Sequence, residues 1–190
     1  MALSSGPAQL RSAAIAALLK ANTLAGARVF ASRDIPFALD QLPAISVYAP
    51  HERGEALSEA GDAPKFRVTL TLHCVARLLA TGADPADPGR LLAETQADTL
   101  LQQMKDAILS DFAFNAAVRR IPSMTAQLML DGRAEGTAGE IILELQAEYD
   151  DAYAVPVPDT LETVTLVVTP TLESGHTLPA IAVSGTLDLA

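Results

Sequence analysis

The chain reads as an α+β fold: an antiparallel or mixed β-sheet with two helices packed on one face, plus a β-rich C-terminal extension. Three observations carry that reading. A stripe of apolar residues at helical spacing opens the chain. Two long stretches, 65–78 and 139–150, alternate apolar and polar residues with a period of two. Between them lies a second helical stripe.

The first helix is expected from about Pro7 to Asn22, where Leu10, Ala14, Leu18 and Ala21 share a face that Ile15 and Leu19 widen. Roughly half of its circumference is apolar, more than one sheet needs. Either the helix is sandwiched, or a neighbouring subunit covers the excess. Short strands follow at Arg28–Ala31 and Ala44–Ala49, the second preceded by Pro43, whose missing donor does least harm there. His51–Pro64 is polar and contains glycine, so a loop is expected. In Lys65–Leu78, Phe66, Val68, Leu70, Leu72 and Cys74 point one way, and Lys65, Arg67, Thr69, Thr71 and His73 the other.

Asp84-Pro85-Ala86-Asp87-Pro88 is a turn, with Asp87 as helix cap and Pro88 at the first helical position. The second helix runs to about Ser110 and buries Ala93, Ala97, Leu100, Leu101, Met104 and Ile108, with Phe112 just beyond. Two strands close the domain, Val118–Leu130 and Gly139–Asp150, joined through Asp131-Gly132 and Glu135-Gly136. On the last, Ile141, Leu143, Leu145, Ala147 and Tyr149 face inward, and Glu140, Glu144, Gln146, Glu148 and Asp150 outward. The element order is α-β-β-β-α-β-β.

The texture changes after Tyr153, which divides the chain into a domain at 1–153 and an arm or annex at 154–190. Val155-Pro156-Val157-Pro158 is a stiff hinge. Two β-prone pieces follow, Thr163–Thr169 and Ala180–Leu187. Leu178-Pro179-Ala180-Ile181 echoes Leu42-Pro43-Ala44-Ile45, which reads as one way of starting a strand used twice. About 38 residues without a helix build no core of their own easily.

Composition bounds the function. Hydrophobic residues at 49% and charged residues at 19% describe a globular chain rather than a disordered one. With five Phe, three Tyr and no Trp, the core must be aliphatic. A single cysteine, Cys74, excludes an internal disulfide and fits a reducing compartment. No apolar run reaches the roughly 18–20 residues of a membrane span. Arg11 before Ala13–Leu19, with Ala25-Gly26-Ala27 after it, has some features of a cleavable signal. Lys20 interrupts that run and Gly6-Pro7 reads as a helix start, so a cytoplasmic chain is expected.

All 13 Lys and Arg lie at or before Arg133, with 13 of the 23 acids; the other 10 acids fall in Ala134–Ala190. By this count the net charge of −10 belongs to the C-terminal portion, a sign that disfavours nucleic-acid binding. Solubility alone also accounts for it in the extreme tail.

Convergent chemistry is scarce. His51, His73 and His176 lack the short spacings of metal ligands. His73 and Cys74, as strand neighbours, point to opposite faces and form no nucleophile–base couple. No nucleophile elbow, phosphate loop or dinucleotide fingerprint is present. Glu148, Asp150 and Asp151 are close enough in sequence to hold a hard cation, but solvated strand-end carboxylates are the plainer reading. Arg119-Arg120 suits a salt bridge to neighbouring acids. Neither a cofactor, a metal nor catalysis is expected.

The N-terminal helix, RVFASRDIPFALDQLPAISVY at Arg28–Tyr48, the alternating strand, the helix after a D-P turn and the closing hairpin together resemble the tail terminator (minor tail protein U-like) family of tailed bacteriophages. The likeness covers about Leu10 to Tyr153 and is strongest at Arg28–Tyr48; the segment after Tyr153 departs from it. The resemblance implies a structural virion protein at the head-proximal end of the tail, assembled in the host cytoplasm. It implies a homo-oligomeric ring, a hexamer, that caps the tail tube and stops its polymerisation. Its partners would be copies of itself, the tail tube protein and a neck or head-completion protein. DNA would pass through without specific binding, and no membrane is involved. On this reading Arg28, Arg33, Asp34 and Phe37 lie near a subunit or tube contact, and Ile15 and Leu19 belong to a ring interface. Alternatively, Asp34 and Pro36 only shape the turn and Phe37 fills the core. Three other classes stay open: another head–tail connector or neck ring protein, a small acidic cation-dependent hydrolase using Glu148, Asp150 and Asp151, and a soluble module binding a cellular partner through its C-terminal arm.

Overall fold

A computed structural model describes residues 6–31, 38–57, 63–82, 89–133, 136–153, 164–168 and 181–185. The chain divides into two compact units, Met1–Ala154 and Val155–Ala190.

The first unit is α+β. Helix α1 (Pro7–Lys20) starts from an extended Gly6 with proline in its first turn, and Lys20 closes its last turn, where a cation complements the helix dipole. Strand β1 (Val29–Ala31) pairs parallel with β2 (Ala44–Ala56). Strands β3 (Lys65–Ala80), β4 (Arg120–Arg133) and β5 (Gly136–Ala152) complete a five-stranded sheet of order β1-β2-β3-β5-β4, antiparallel apart from its first pair. Helices α2 (Arg90–Leu109) and α3 (Phe112–Ala117) lie between β3 and β4 in the chain.

The core sits between the helices and one face of the β3–β5 pair. Leu70, Leu72, Cys74, Ala76 and Leu78 of β3 stand beside Ile141, Leu143, Leu145 and Ala147 of β5, all buried. Helix α2 covers them with Ala93, Ala97, Leu100, Met104 and Ile108, while α1 packs against β1, β2 and the other helices and buries Leu10, Ala14, Ala17 and Leu18. Alanines on both helices bring the layers close, so an aliphatic core fills without large aromatics. Each large aliphatic side chain buried this way contributes about 1.5–3 kcal/mol. Ala21, expected in the stripe, instead caps the C-terminus of α1 and is exposed.

Four expectations need correcting. His51–Pro64 is not a loop throughout, because β2 continues to Ala56 and pairs His51–Ala56 with Thr71–Phe66. The register slips between Tyr48 and His51, where Ala49 and Pro50 stand opposite Leu72 alone. That bulge seats the proline and reverses the in–out phase, which hides the strand from a period-two search. Beyond it β2 is exposed on both faces and is held by its ladder to β3. The ring of Phe66 lies across Gly54, 3.4 Å from where a Cβ would sit.

Helix α2 begins at Arg90 with Gly89 as its cap; Asp87 and Pro88 lie outside the described residues. Gly89 has φ +103°, and a Cβ there would stand 2.6 Å from the Ala80 carbonyl oxygen and 2.8 Å from the Gly82 nitrogen. Gly136 approaches the same carbonyl, so two glycines close on the end of β3. Asp131-Gly132 is not the hairpin turn, since both pair with β5 and the ladder closes at Arg133 opposite Gly136. Finally, α3 follows α2 directly, capped by Asp111, whose Oδ1 accepts the Phe114 amide at 2.9 Å. It buries Phe114 and leaves Phe112 exposed.

In the second unit, β6 (Val164–Val168) and β7 (Ile181–Gly185) form an antiparallel pair, Val164 opposite Gly185 and Val168 opposite Ile181. The Val155–Pro158 hinge and the Leu178-Pro179 echo lie outside the described residues.

Candidate functional site

Two surfaces stand out, the charged outer face of the sheet and the apolar residues at one end of the helix layer. On the outer face, the acids of β5 meet bases of their neighbours at paired positions. Arg77 Nε donates to Glu140 at 2.7 Å, and His73 Nε2 lies 3.0 Å from Glu144. Arg120 grips Glu148 with both ends of its guanidinium, at 2.6 and 2.9 Å. Arg119 donates to Asp150 at 3.1 Å, with Arg67 3.8 Å away on the other side. The register explains this order, since β5 lies between β3 and β4 and each outward acid faces one of them.

The excess of acids after Arg133 therefore forms no bare acidic surface along β5, contrary to the linear count. Along β5, Glu140, Glu148 and Asp150 pair with arginines from earlier in the chain, and Glu144 hydrogen-bonds His73. Arg120's hydrogen bonds come first, and the charges of Arg67 and Arg119 add to them. They hold the Glu148 carboxyl below the usual glutamate range against burial that pushes it up.

The candidate cation site does not assemble. Glu148 and Asp150 engage arginines on the outer face, and Asp151 falls on the opposite side of the strand. Among the described residues no group of three or more His, Cys, Asp or Glu could hold a metal. Cys74 is fully buried, and burial pushes its thiol up to about 12, so it is a core side chain and not a nucleophile. Tyr149 donates to Glu52 at 3.1 Å; burial first, and that hydrogen bond second, raise its hydroxyl above the usual tyrosine range. A groove of about 480 Å³ lies between Leu39 and Leu42 and the sheet residues Arg77, Met129 and Glu140. Two of the charged residues that line it, Arg77 and Glu140, are joined to each other, and Asp131 lines it as well.

The residues expected at an interface scatter. Arg33, Asp34 and Phe37 lie outside the described residues. Arg28 turns to its own chain: its Nε donates to the Pro43 carbonyl at 2.8 Å, and its own carbonyl accepts the Ile45 amide at 2.9 Å. Ile15 is half-buried against the core. Leu19 is 43% exposed. One position along, Lys20 reaches Asp111 at 3.5 Å, and Phe112, the next residue of α3, is 85% exposed. Leu19 and Phe112 thus flank one ion pair at the α1–α3 junction, with Leu109 exposed beside them in the chain. The reading of the sequence missed Phe112 as a surface residue. Asp111, a cap residue just after a helix stripe, was the signal that a new helix starts there.

These features define a helix-on-sheet domain with paired charges on the outer face of its sheet and exposed apolar residues where α1 meets α3. No protein-family model matches the chain, and no curated protein matches it. Among the described residues no helix is long and apolar enough to cross a membrane.

Proposed function

We propose that the chain is a ring-forming assembly subunit of a bacteriophage tail, a tail terminator. Copies of it cap the head-proximal end of the tail tube, halt its growth and present a surface to the neck. Support comes first from the order of elements in the resemblance, now carried by an α+β domain with both long helices on one face of its sheet. The observation that carries the reading is the pair Leu19 and Phe112, large apolar side chains left open where α1 meets α3. An exposed leucine and an exposed phenylalanine, each next in sequence to one partner of the Lys20–Asp111 ion pair, have the composition of a protein contact. A heterologous contact of this kind closes into a ring when its rotation allows. The ring is a hexamer on this reading, and the tube protein is its template.

Electron microscopy of the purified chain mixed with tail tubes tests the proposal. Rings at one tube end, lost with Leu19→Lys, are the expected result. Rings on the portal side of capsids instead would make the chain a neck connector. A chain that stays single at high concentration and never decorates tubes sinks both readings.

A further inference from the structure

The outer edge of the sheet carries an inference that goes beyond the ring. Among the described residues, strand β4 pairs with β5 alone. From Ile121 to Leu130 it has no charged residue, and its residues 122–129 are exposed. Edges of this length in single-chain proteins are ordinarily blunted by lysine, proline or a bulge. Here the guards stop at Pro122, inside the bulge between Arg120 and Ser123. From Ser123 onward the ladder to β5 is regular, so the far edge presents an ordered row of backbone donors and acceptors.

The segment is symmetrical in kind about Ala126. Thr125 and Gln127 flank it on one face, and Met124 and Leu128 on the other. We propose that this edge pairs antiparallel with the same edge of a second copy about a two-fold axis at Ala126, joining two five-stranded sheets into one.

Residues directly opposite in an antiparallel pair share a face. Centring on Ala126 therefore sets Met124 against Leu128 of the second copy on the helix side, and Thr125 against Gln127 on the outer side. Met124 is 41% and Leu128 37% exposed, because α2 covers β3 and β5 more fully than β4. Pairing merges the four side chains of two copies into one apolar strip. Charge selects the direction. At the Arg120 end, three guanidinium groups meet two carboxylates, whereas the other end of the strand carries one acid and one base, Asp131 and Arg133. Antiparallel pairing sets the arginine-rich end against this balanced end of the second copy; parallel pairing would stack the two arginine-rich ends together.

The pair uses β4 and leaves Leu19 and Phe112 free, so it stands or falls apart from the ring. Two measurements on the full chain test it. Sedimentation of the native chain should give twice the monomer mass, and Ala126→Lys, with like charges facing across the axis, should return it to one. Ala126→Cys should form an interchain disulfide under mild oxidation, while Leu128→Cys should not; Cys74, fully buried, stays out of the reaction. The cysteine variant keeps the test sound if the lysine variant misfolds. A monomeric native chain, an Ala126→Lys dimer, or stronger crosslinking through Thr125→Cys would each overturn the pairing. Rings on tube ends formed by a chain that never pairs would sink this inference and spare the ring. A pair that ignores tubes would do the reverse.

Discussion

Phe112 and Phe114 stand two residues apart on α3 and should behave as opposites. Phe114 is 0% exposed and packs in the main core; Phe112 is 85% exposed. Replacing Phe114 with alanine removes a ring from a closed site, a change that costs about 3–5 kcal/mol. At about 2–4 °C per kcal/mol for a chain of this size, its melting temperature should fall by roughly 6–20 °C. Replacing Phe112 with alanine removes a ring that mostly touches solvent, so stability should stay within about 0.5 kcal/mol. Association should respond the other way. Burying a phenylalanine at a contact contributes about 1.5–3 kcal/mol, so Phe112→Ala should weaken self-association about ten- to a hundredfold per contact. Urea titrations followed by circular dichroism give the first quantity, and sedimentation equilibrium in the Ala126→Lys background, where the β4 edge does not pair, gives the second. A Phe112→Ala chain that unfolds as early as Phe114→Ala would mean that Phe112 is core. A Phe112→Ala chain that associates normally would remove this residue from the contact.

Two further predictions follow from the sheet. Glu148 has its carboxyl held below the usual range by Arg120, so its contribution to stability is complete above the unfolded glutamate value of about 4.3 and vanishes as pH falls through the lowered folded value. The melting gap between the native chain and Glu148→Gln should be widest near neutral pH and close in acid; a gap unchanged at about pH 3 would show that Arg120 is not its source. Gly89→Ala places a Cβ 2.6 Å from a backbone oxygen at a positive φ. It should cost about 2–4 kcal/mol in a urea titration, and a change under about 0.5 kcal/mol would mean that the β3–α2 junction yields freely.

The core was legible in the sequence because periodicity reports burial directly. The alternation of Lys65–Leu78 and Gly139–Asp150 marked the inward residues of β3 and β5, and the α2 stripe matched all but Leu101, which is half-buried. What failed was local punctuation. Asp87-Pro88 is a strong start signal, yet the helix cap is Gly89, which only the close approach of the Ala80 carbonyl demands. Asp131-Gly132 is a strong turn signal, yet the ladder runs past it. Pro50 reads as a breaker, yet a bulge absorbs it. Each error concerns a backbone meeting that is non-local, so no window of sequence contains its cause. The candidate contact was half legible: Leu19 followed from a helix stripe wider than its core, while Phe112 depended on the start of a helix six residues long.

Charge illustrates the same point and alters the argument for a DNA passage. Counted along the chain, everything after Arg133 is acidic, which suggests one repellent surface. Strand order undoes this in the first unit. β5 carries Glu140, Glu144, Glu148 and Asp150 and sits between β3, which brings His73, Arg67 and Arg77 to it, and β4, which brings Arg120 with Arg119 just before it. A strand rich in one sign and flanked by the other is stabilised by cross-strand pairs. The acids with no Lys or Arg in their own unit are Asp159, Glu162, Glu173 and Asp188. If DNA slides past this protein without adhering, the electrostatic reason lies in the second unit, and removing residues 155–190 should raise its affinity for duplex DNA at low salt while leaving the paired charges of the sheet as they are.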